Sequence, residues 1–155
     1  MMQFTMSGTM LRFDETTLRF SFSRDGATWS GCDGIEPQLT REDRSFSFAG
    51  AATVTHERIE TGTGVGVRSV FAGFAGADYA FETYIWIERS SGDVLCEWVP
   101  LRECGAEPRI DRVLWPAPLS FDHADAHDVT LITHEQGVMI PVSYTHLRAH
   151  ETLAN

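Results

Sequence analysis

The chain of 155 residues contains no lysine, and its only asparagine is Asn155, so arginine supplies all of the positive side-chain charge. Its formal net charge is −10, which argues against nucleic acid or an anionic membrane as a partner. No stretch approaches eighteen consecutive apolar residues, and the first residues show neither the basic nor the apolar segment of a signal peptide. We therefore expect a soluble, cytoplasmic protein.

Cysteine is also scarce. The three cysteines are Cys32, Cys96 and Cys104, an odd number without CxxC spacing, which disfavours both a disulfide framework and a zinc knuckle. We expect them to be buried free thiols.

The last fourteen residues form a separate segment. Residues 142–152 read VSYTHLRAHET and resemble one translated frame of a sequencing-library adapter, so we predict a non-native tail at 142–155. The alternative is an amphipathic tail in which His146 and His150, four residues apart, bind a metal. Residues 1–141 are then the protein's own sequence, a usual size for one domain.

Alternation of apolar and polar residues dominates the remaining chain and predicts β-strands. Residues 18–22 alternate and lead into the Asp25-Gly26 pair, which favours a tight turn. Residues 79–101 read as an antiparallel hairpin that turns at 89–93.

Further short strands are expected at 45–48, 52–59, 62–74, 109–115, 129–133 and 138–140. Only residues 37–44 have a helical composition, sufficient for a turn or two. We predict an all-β fold, an antiparallel two-sheet sandwich that is incomplete at the C-terminus.

Motifs for catalysis are weak. Residues 122–128, with His134 and Glu135 nearby, hold the densest group of potential metal ligands, but they match neither an EF-hand nor HExxH and favour a solvated acidic loop. The glycines of residues 62–66 lack the Lys-Ser/Thr pair of a phosphate-binding loop. We expect no metal, no cofactor and no catalytic residue in this chain.

Four tryptophans, Trp29, Trp86, Trp98 and Trp115, lie on or beside predicted strands. Exposed aromatic rings can stack on sugars, but tryptophan is also a common large core residue. Core packing is the favoured interpretation for each, with Trp86 and Trp98 as candidates to pair across the hairpin.

Two segments carry a family resemblance. IDRVLWPAP at 110–118, followed by TLITHEQGVMIP at 130–141, resembles the N-terminal β-sandwich, of the galactose-mutarotase-like supersandwich type, that precedes the barrel in some large glycoside hydrolases. The resemblance covers about residues 81–141.

This resemblance implies a multidomain enzyme that cleaves glycosides with two carboxylates on a downstream barrel. The missing C-terminal catalytic domain would be this chain's partner, carbohydrate would be bound through the parent enzyme, and the fragment alone would be inactive. Glu97, Trp98 and His134 are the candidates for carbohydrate contact. Two alternatives stay open: a free-standing carbohydrate-binding or protein-interaction sandwich, and a small metal-dependent enzyme that uses residues 123–134.

Overall fold

The computed structural model describes residues 1–31, 35–74, 77–102, 110–116, 129–132 and 138–141. The chain divides into two compact units, Met1–Leu119 and Ser120–Asn155. Strands account for nearly all of the regular structure: β1 Met2–Met6, β2 Thr9–Phe13, β3 Phe20–Arg24, β4 Ala27–Ser30, β5 Gln38–Arg41, β6 Arg44–Ser47, β7 Thr53–Glu60, β8 Gly64–Phe74, β9 Ala77–Glu88, β10 Val94–Arg102, β11 Arg112–Leu114, β12 Val129–Ile132 and β13 Val138–Pro141. No helix of the described residues is long and apolar enough to cross a membrane.

The first sheet is a meander of four antiparallel strands in the order β1-β2-β3-β4. Its two outer hairpins have two-residue turns at Ser7-Gly8 and Asp25-Gly26, and all four residues have positive φ. This conformation matches the twist of the paired strands, and it explains why the Asp-Gly pair predicted its turn correctly. The β1–β2 hairpin was not predicted.

The second sheet is also antiparallel, with the order β10-β9-β8-β7. Its longest strands, β8 and β9, pair from Gly64↔Glu88 to Phe74↔Ala77, with a register shift between Ala72 and Phe74. Gly73 lies within that shift at φ 75°, a conformation that favours glycine. The hairpin predicted at residues 79–101 is confirmed as β9 and β10.

A smaller third sheet, in the order β11-β5-β6, corrects the prediction of helix at residues 37–44. That segment is a β-hairpin, and Glu42 in its turn has φ 50°. Leu39 is fully buried, and β5 also pairs with the distant strand β11. Burial of Leu39 and the long-range pairing outweigh the weak helical composition.

The core lies between the facing sides of the first two sheets and contains Phe4, Leu11, Phe13, Phe20, Val65, Val67, Phe71, Phe81, Ile85 and Ile87. Phe48, in a single turn of 3-10 helix (Phe48–Gly50), joins the third sheet to this core. Its ring centroid lies 4.6 Å from that of Phe81 and 5.9 Å from that of Trp115. The predicted all-β antiparallel sandwich is therefore confirmed, with the third sheet as an addition.

The second unit contributes a single described hairpin. Strands β12 and β13 pair antiparallel from Val129↔Pro141 to Ile132↔Val138. Both strands agree with the sequence prediction. The tail at 142–155 lies outside the described residues, and its origin stays a prediction.

Candidate functional site

The predicted carbohydrate-contacting residues do not form one group in the structure. Glu97 is exposed on the outer face of β10, opposite Tyr84. Trp98 points to the other face, where its ring lies 5.7 Å from that of Phe81. Because neighbouring residues of a strand face opposite sides, these two side chains cannot contact the same small ligand. His134 lies outside the described residues.

The proposed pairing of Trp86 with Trp98 is wrong. Trp98 lies opposite Thr83, and Trp86 lies opposite Leu95. The two indoles therefore occupy different faces of the sheet. Trp86 covers Gly64 and Gly66 on β8, where a Cβ atom built on either glycine would lie 2.5 Å from an atom of the Trp86 side chain.

A metal centre finds no support in the part of the chain that the structure describes. No three His, Cys, Asp or Glu side chains there are grouped so that they could hold an ion. The ligand-rich segment 122–128 lies outside that part, as do Cys32 and Cys104. Cys96 is half-buried and free, and burial raises the pKa of its thiol to about 11, as expected for a structural thiol.

A polar network crosses the outer face of the second sheet, and sequence reasoning missed it. We define the outer network as Glu57, Arg68, Glu82 and Tyr84. The Arg68 Nη1 group donates to Glu57 Oε1 at 2.6 Å, while Nη2 donates to Glu82. The Tyr84 hydroxyl also donates to Glu82, whose side chain is only 8% exposed. The Arg68 guanidinium on β8 therefore joins three strands, because it binds Glu57 on β7 and Glu82 on β9.

The electrostatics of the outer network indicate a structural role. Hydrogen bonds from Arg68 and then Tyr84 lower the pKa of Glu82. The bond to Glu82 raises the pKa of the Tyr84 phenol. A general acid at neutral pH requires a raised carboxyl pKa, so an ionised Glu82 held by two donors is suited to bracing the sheet rather than to proton transfer.

A pocket of about 400 Å³ lies where β4, the last strand of the first sheet in the described part of the chain, approaches the turn between β9 and β10. Trp29 stacks on Phe22 across the β3–β4 pair, with ring centroids 5.0 Å apart and planes inclined by 19°. Arg24 and Asp93 provide charged groups at the pocket. We call this the Trp29 pocket.

Hydrogen bonds between the two sheets fix the position of the residues that line the Trp29 pocket. Arg24 Nη1 donates to the backbone carbonyl of Ser91 at 3.0 Å and lies 3.7 Å from Asp93 Oδ1. The buried Thr9 hydroxyl donates to the carbonyl of Gly92 at 2.6 Å. These contacts tie the first sheet to the β9–β10 turn, so the pocket walls are positioned by both sheets. The pattern of tryptophans pointed to Trp29, but only the fold brings Arg24 and Asp93 beside it.

A larger, open groove of about 580 Å³ crosses the outer face of the first sheet. The cross-strand residues Gln3, Arg12, Ser21 and Ser30 line it. Phe20 is the aromatic residue among its lining residues, and its side chain is buried in the core.

No protein-family model and no curated protein matches the chain. Solved structures do match. The alpha-N-acetylgalactosaminidase NagBb from Bifidobacterium bifidum, in its complex with Gal-NHAc-DNJ, is 99% identical with a TM-score of 0.81. The GalNAc complex of the same enzyme gives 96% identity and a TM-score of 0.80, and the ligand-free structure gives 90% and 0.75.

Each of these matches covers 91% of this chain. The chain spans only 22% of the length of the enzyme in the first two structures and 21% in the ligand-free one.

Proposed function

We propose that this chain, which corresponds to a segment of a large glycoside hydrolase, is the non-catalytic N-terminal β-sandwich domain of an alpha-N-acetylgalactosaminidase. Its role is then structural: it supports a catalytic domain that is contained in the rest of the enzyme. The parent protein acts on carbohydrate, and the sandwich alone does not cleave a glycosidic bond.

The single observation that carries this proposal is the match at 99% identity over 91% of the chain, which spans 22% of a protein described as alpha-N-acetylgalactosaminidase. The chemistry of the described residues agrees with it. Hydrolysis of glycosides generally needs two carboxyl groups about 5–10 Å apart that flank the sugar. Among the described residues the one buried carboxylate is Glu82, which accepts hydrogen bonds from Arg68 and Tyr84.

Substitutions in the intact relative test the proposal. Glu97→Gln and Glu60→Gln remove exposed carboxylates that a sugar could reach. Removal of a general acid or base typically costs about 10²–10⁴-fold in rate. We expect kcat on an aryl alpha-N-acetylgalactosaminide to stay within about threefold for both variants.

Glu82→Gln is the third variant, because it is the buried carboxylate of the outer network. We expect a lower unfolding temperature with kcat nearly unchanged at a temperature where the enzyme stays folded. A loss of kcat of about 10²-fold or more in any folded variant, with KM unchanged, would overturn the non-catalytic assignment.

A further inference from the structure

The Trp29 pocket combines an aromatic ring with charged side chains, which is the chemistry of a sugar-binding site. We propose that it binds one hexopyranose residue, with a sugar face stacked on Trp29 and its hydroxyls hydrogen-bonded to Arg24 and Asp93. This inference rests on the proposed function in one respect, since it takes N-acetylgalactosamine as the sugar that the enzyme meets.

The aromatic surface is the first argument. Trp29 lies on β4, the last strand in the first sheet of the described residues. Phe22 packs against one side of it at 5.0 Å, and the ring is half-buried and lines the pocket. Indole presents a large rigid apolar face at low cost in conformational entropy, which suits the C–H face of a pyranose ring.

The polar groups are the second argument. Arg24 and Asp93 are accessible, with 40% and 66% of their side chains exposed. Arg24 uses Nη1 for the Ser91 carbonyl, and its Nε lies 3.8 Å from Asp25 Oδ2. A guanidinium has five N–H donors in a fixed fork, and the two on Nη2 take part in neither contact. Asp93 adds carboxylate acceptors. Neighbouring sugar hydroxyls need both donors and acceptors beside an apolar face, and this combination meets that need.

The fixed geometry is the third argument. The Arg24 contact to Ser91 and the Thr9 contact to Gly92 hold the pocket between two sheets. A Cβ atom at Gly92 would lie 2.8 Å from the Ser7 carbonyl oxygen, and Gly92 has φ 76°, so the turn that carries Asp93 requires glycine. Ligands bind more tightly to a site that is already formed.

Fluorine NMR on the 155-residue chain labelled with 5-fluorotryptophan tests the proposal. N-acetylgalactosamine is the probe, and a Trp29→Phe variant assigns the Trp29 resonance. We expect that resonance to shift saturably, with a dissociation constant on the order of 1 mM. The Trp86 resonance is the internal control and should not move, because Trp86 lies on the outer face of the other sheet.

Two variants and one comparison make the outcome decisive. Arg24→Met and Asp93→Asn should each weaken binding about fivefold or more, whereas Arg44→Met, a control on β6, should leave it unchanged. The same titration on the labelled full-length relative should move the corresponding resonance.

The proposal is overturned if the Trp29 resonance of the isolated chain does not shift while the four tryptophan resonances are dispersed as in a folded protein. A shift in the isolated chain that disappears in the full-length enzyme would also overturn it, because the remainder of the enzyme would then cover the pocket. Neither result depends on turnover, so failure here is distinguishable from failure of the proposed function.

Discussion

Replacement of Arg68 by methionine should destabilise the sandwich far more than loss of an ordinary surface charge. Arg68 binds two carboxylates that differ in burial: the Glu57 side chain is 57% exposed and the Glu82 side chain 8%. Without the guanidinium, Glu82 keeps the Tyr84 hydroxyl as its donor in the outer network, but its charge has no counterion there.

The expected loss in free energy of unfolding follows from the burial of Glu82. Breaking a buried ion pair by removing one partner costs about 3–5 kcal/mol. Arg68 itself is 32% exposed, so water partly compensates, and we expect about 2–3 kcal/mol for Arg68→Met. Glu57→Gln removes the exposed partner of the same arginine and should cost less than about 0.5 kcal/mol.

Urea unfolding at pH 7, followed by tryptophan fluorescence, measures these differences. The double variant Arg68→Met with Glu82→Gln should recover part of the loss, because no buried charge is then left unpaired. Bonds from Arg68 and Tyr84 lower the pKa of Glu82, so its contribution is present above the ordinary glutamate pKa and disappears as the pH falls through the lowered one. If Arg68→Met proves no more destabilising than Glu57→Gln, burial of Glu82 does not govern the stability of the outer network.

Three further predictions concern the sheet faces and the core. Gly66→Ala should lower the free energy of unfolding by about 3 kcal/mol in the same urea assay, because its Cβ would lie 2.2 Å from the Ile85 carbonyl oxygen. Gly62→Ala is the control: its Cβ would meet no atom within 4 Å, so it should be nearly neutral. Equal effects of the two substitutions would contradict the close approach of Gly66 to β9. Burial lowers the pKa of His56, so the free energy of unfolding should decrease as the pH falls below about 6.5, and His56→Gln should remove that component. Cys96 should react with iodoacetamide at pH 8 at least about tenfold more slowly in the folded chain than in urea, by peptide mass spectrometry, since burial raises its pKa to about 11.

Local patterns predicted much of the fold. The Asp25-Gly26 turn and the β9–β10 hairpin are encoded by neighbouring residues, and both are confirmed. The β1–β2 hairpin was missed because its Ser-Gly turn is a weaker signal than Asp-Gly. The predicted likeness to a glycoside hydrolase sandwich is confirmed by the match with a solved glycosidase.

The predictions that proved wrong concern residues whose environment depends on contacts between distant parts of the chain. Leu39 is buried in a strand because β11 pairs with it, although β11 is about seventy residues away, and no local pattern reveals that contact. Trp98 was placed beside Trp86 because the exact register of the hairpin was unknown. A shift of one residue in register moves a side chain to the other face.

The residues of the candidate sites are likewise brought together by contacts that no local sequence pattern reveals. The sequence predicts Arg68 on a strand at 62–74 and Glu82 and Tyr84 on the hairpin at 79–101, but only the register of β8 against β9 brings the three residues together. The Trp29 pocket likewise requires the β9–β10 turn to meet the first sheet. The residues that make this contact, Arg24 and Ser91, are more than sixty positions apart in the sequence. The predicted role of His134 and the predicted origin of the tail at 142–155 concern residues outside the described ranges.

We propose that this sandwich belongs to a glycosidase but does not itself cleave glycosides. The most direct test compares the purified 155-residue chain with the full-length relative, at equal molar concentration, for release of the aryl group from an aryl alpha-N-acetylgalactosaminide. Our expectation is turnover by the full-length enzyme and no rate above buffer for this chain. A rate for the chain within about 100-fold of the full-length enzyme would contradict it, since loss of a catalytic group typically costs about that much or more.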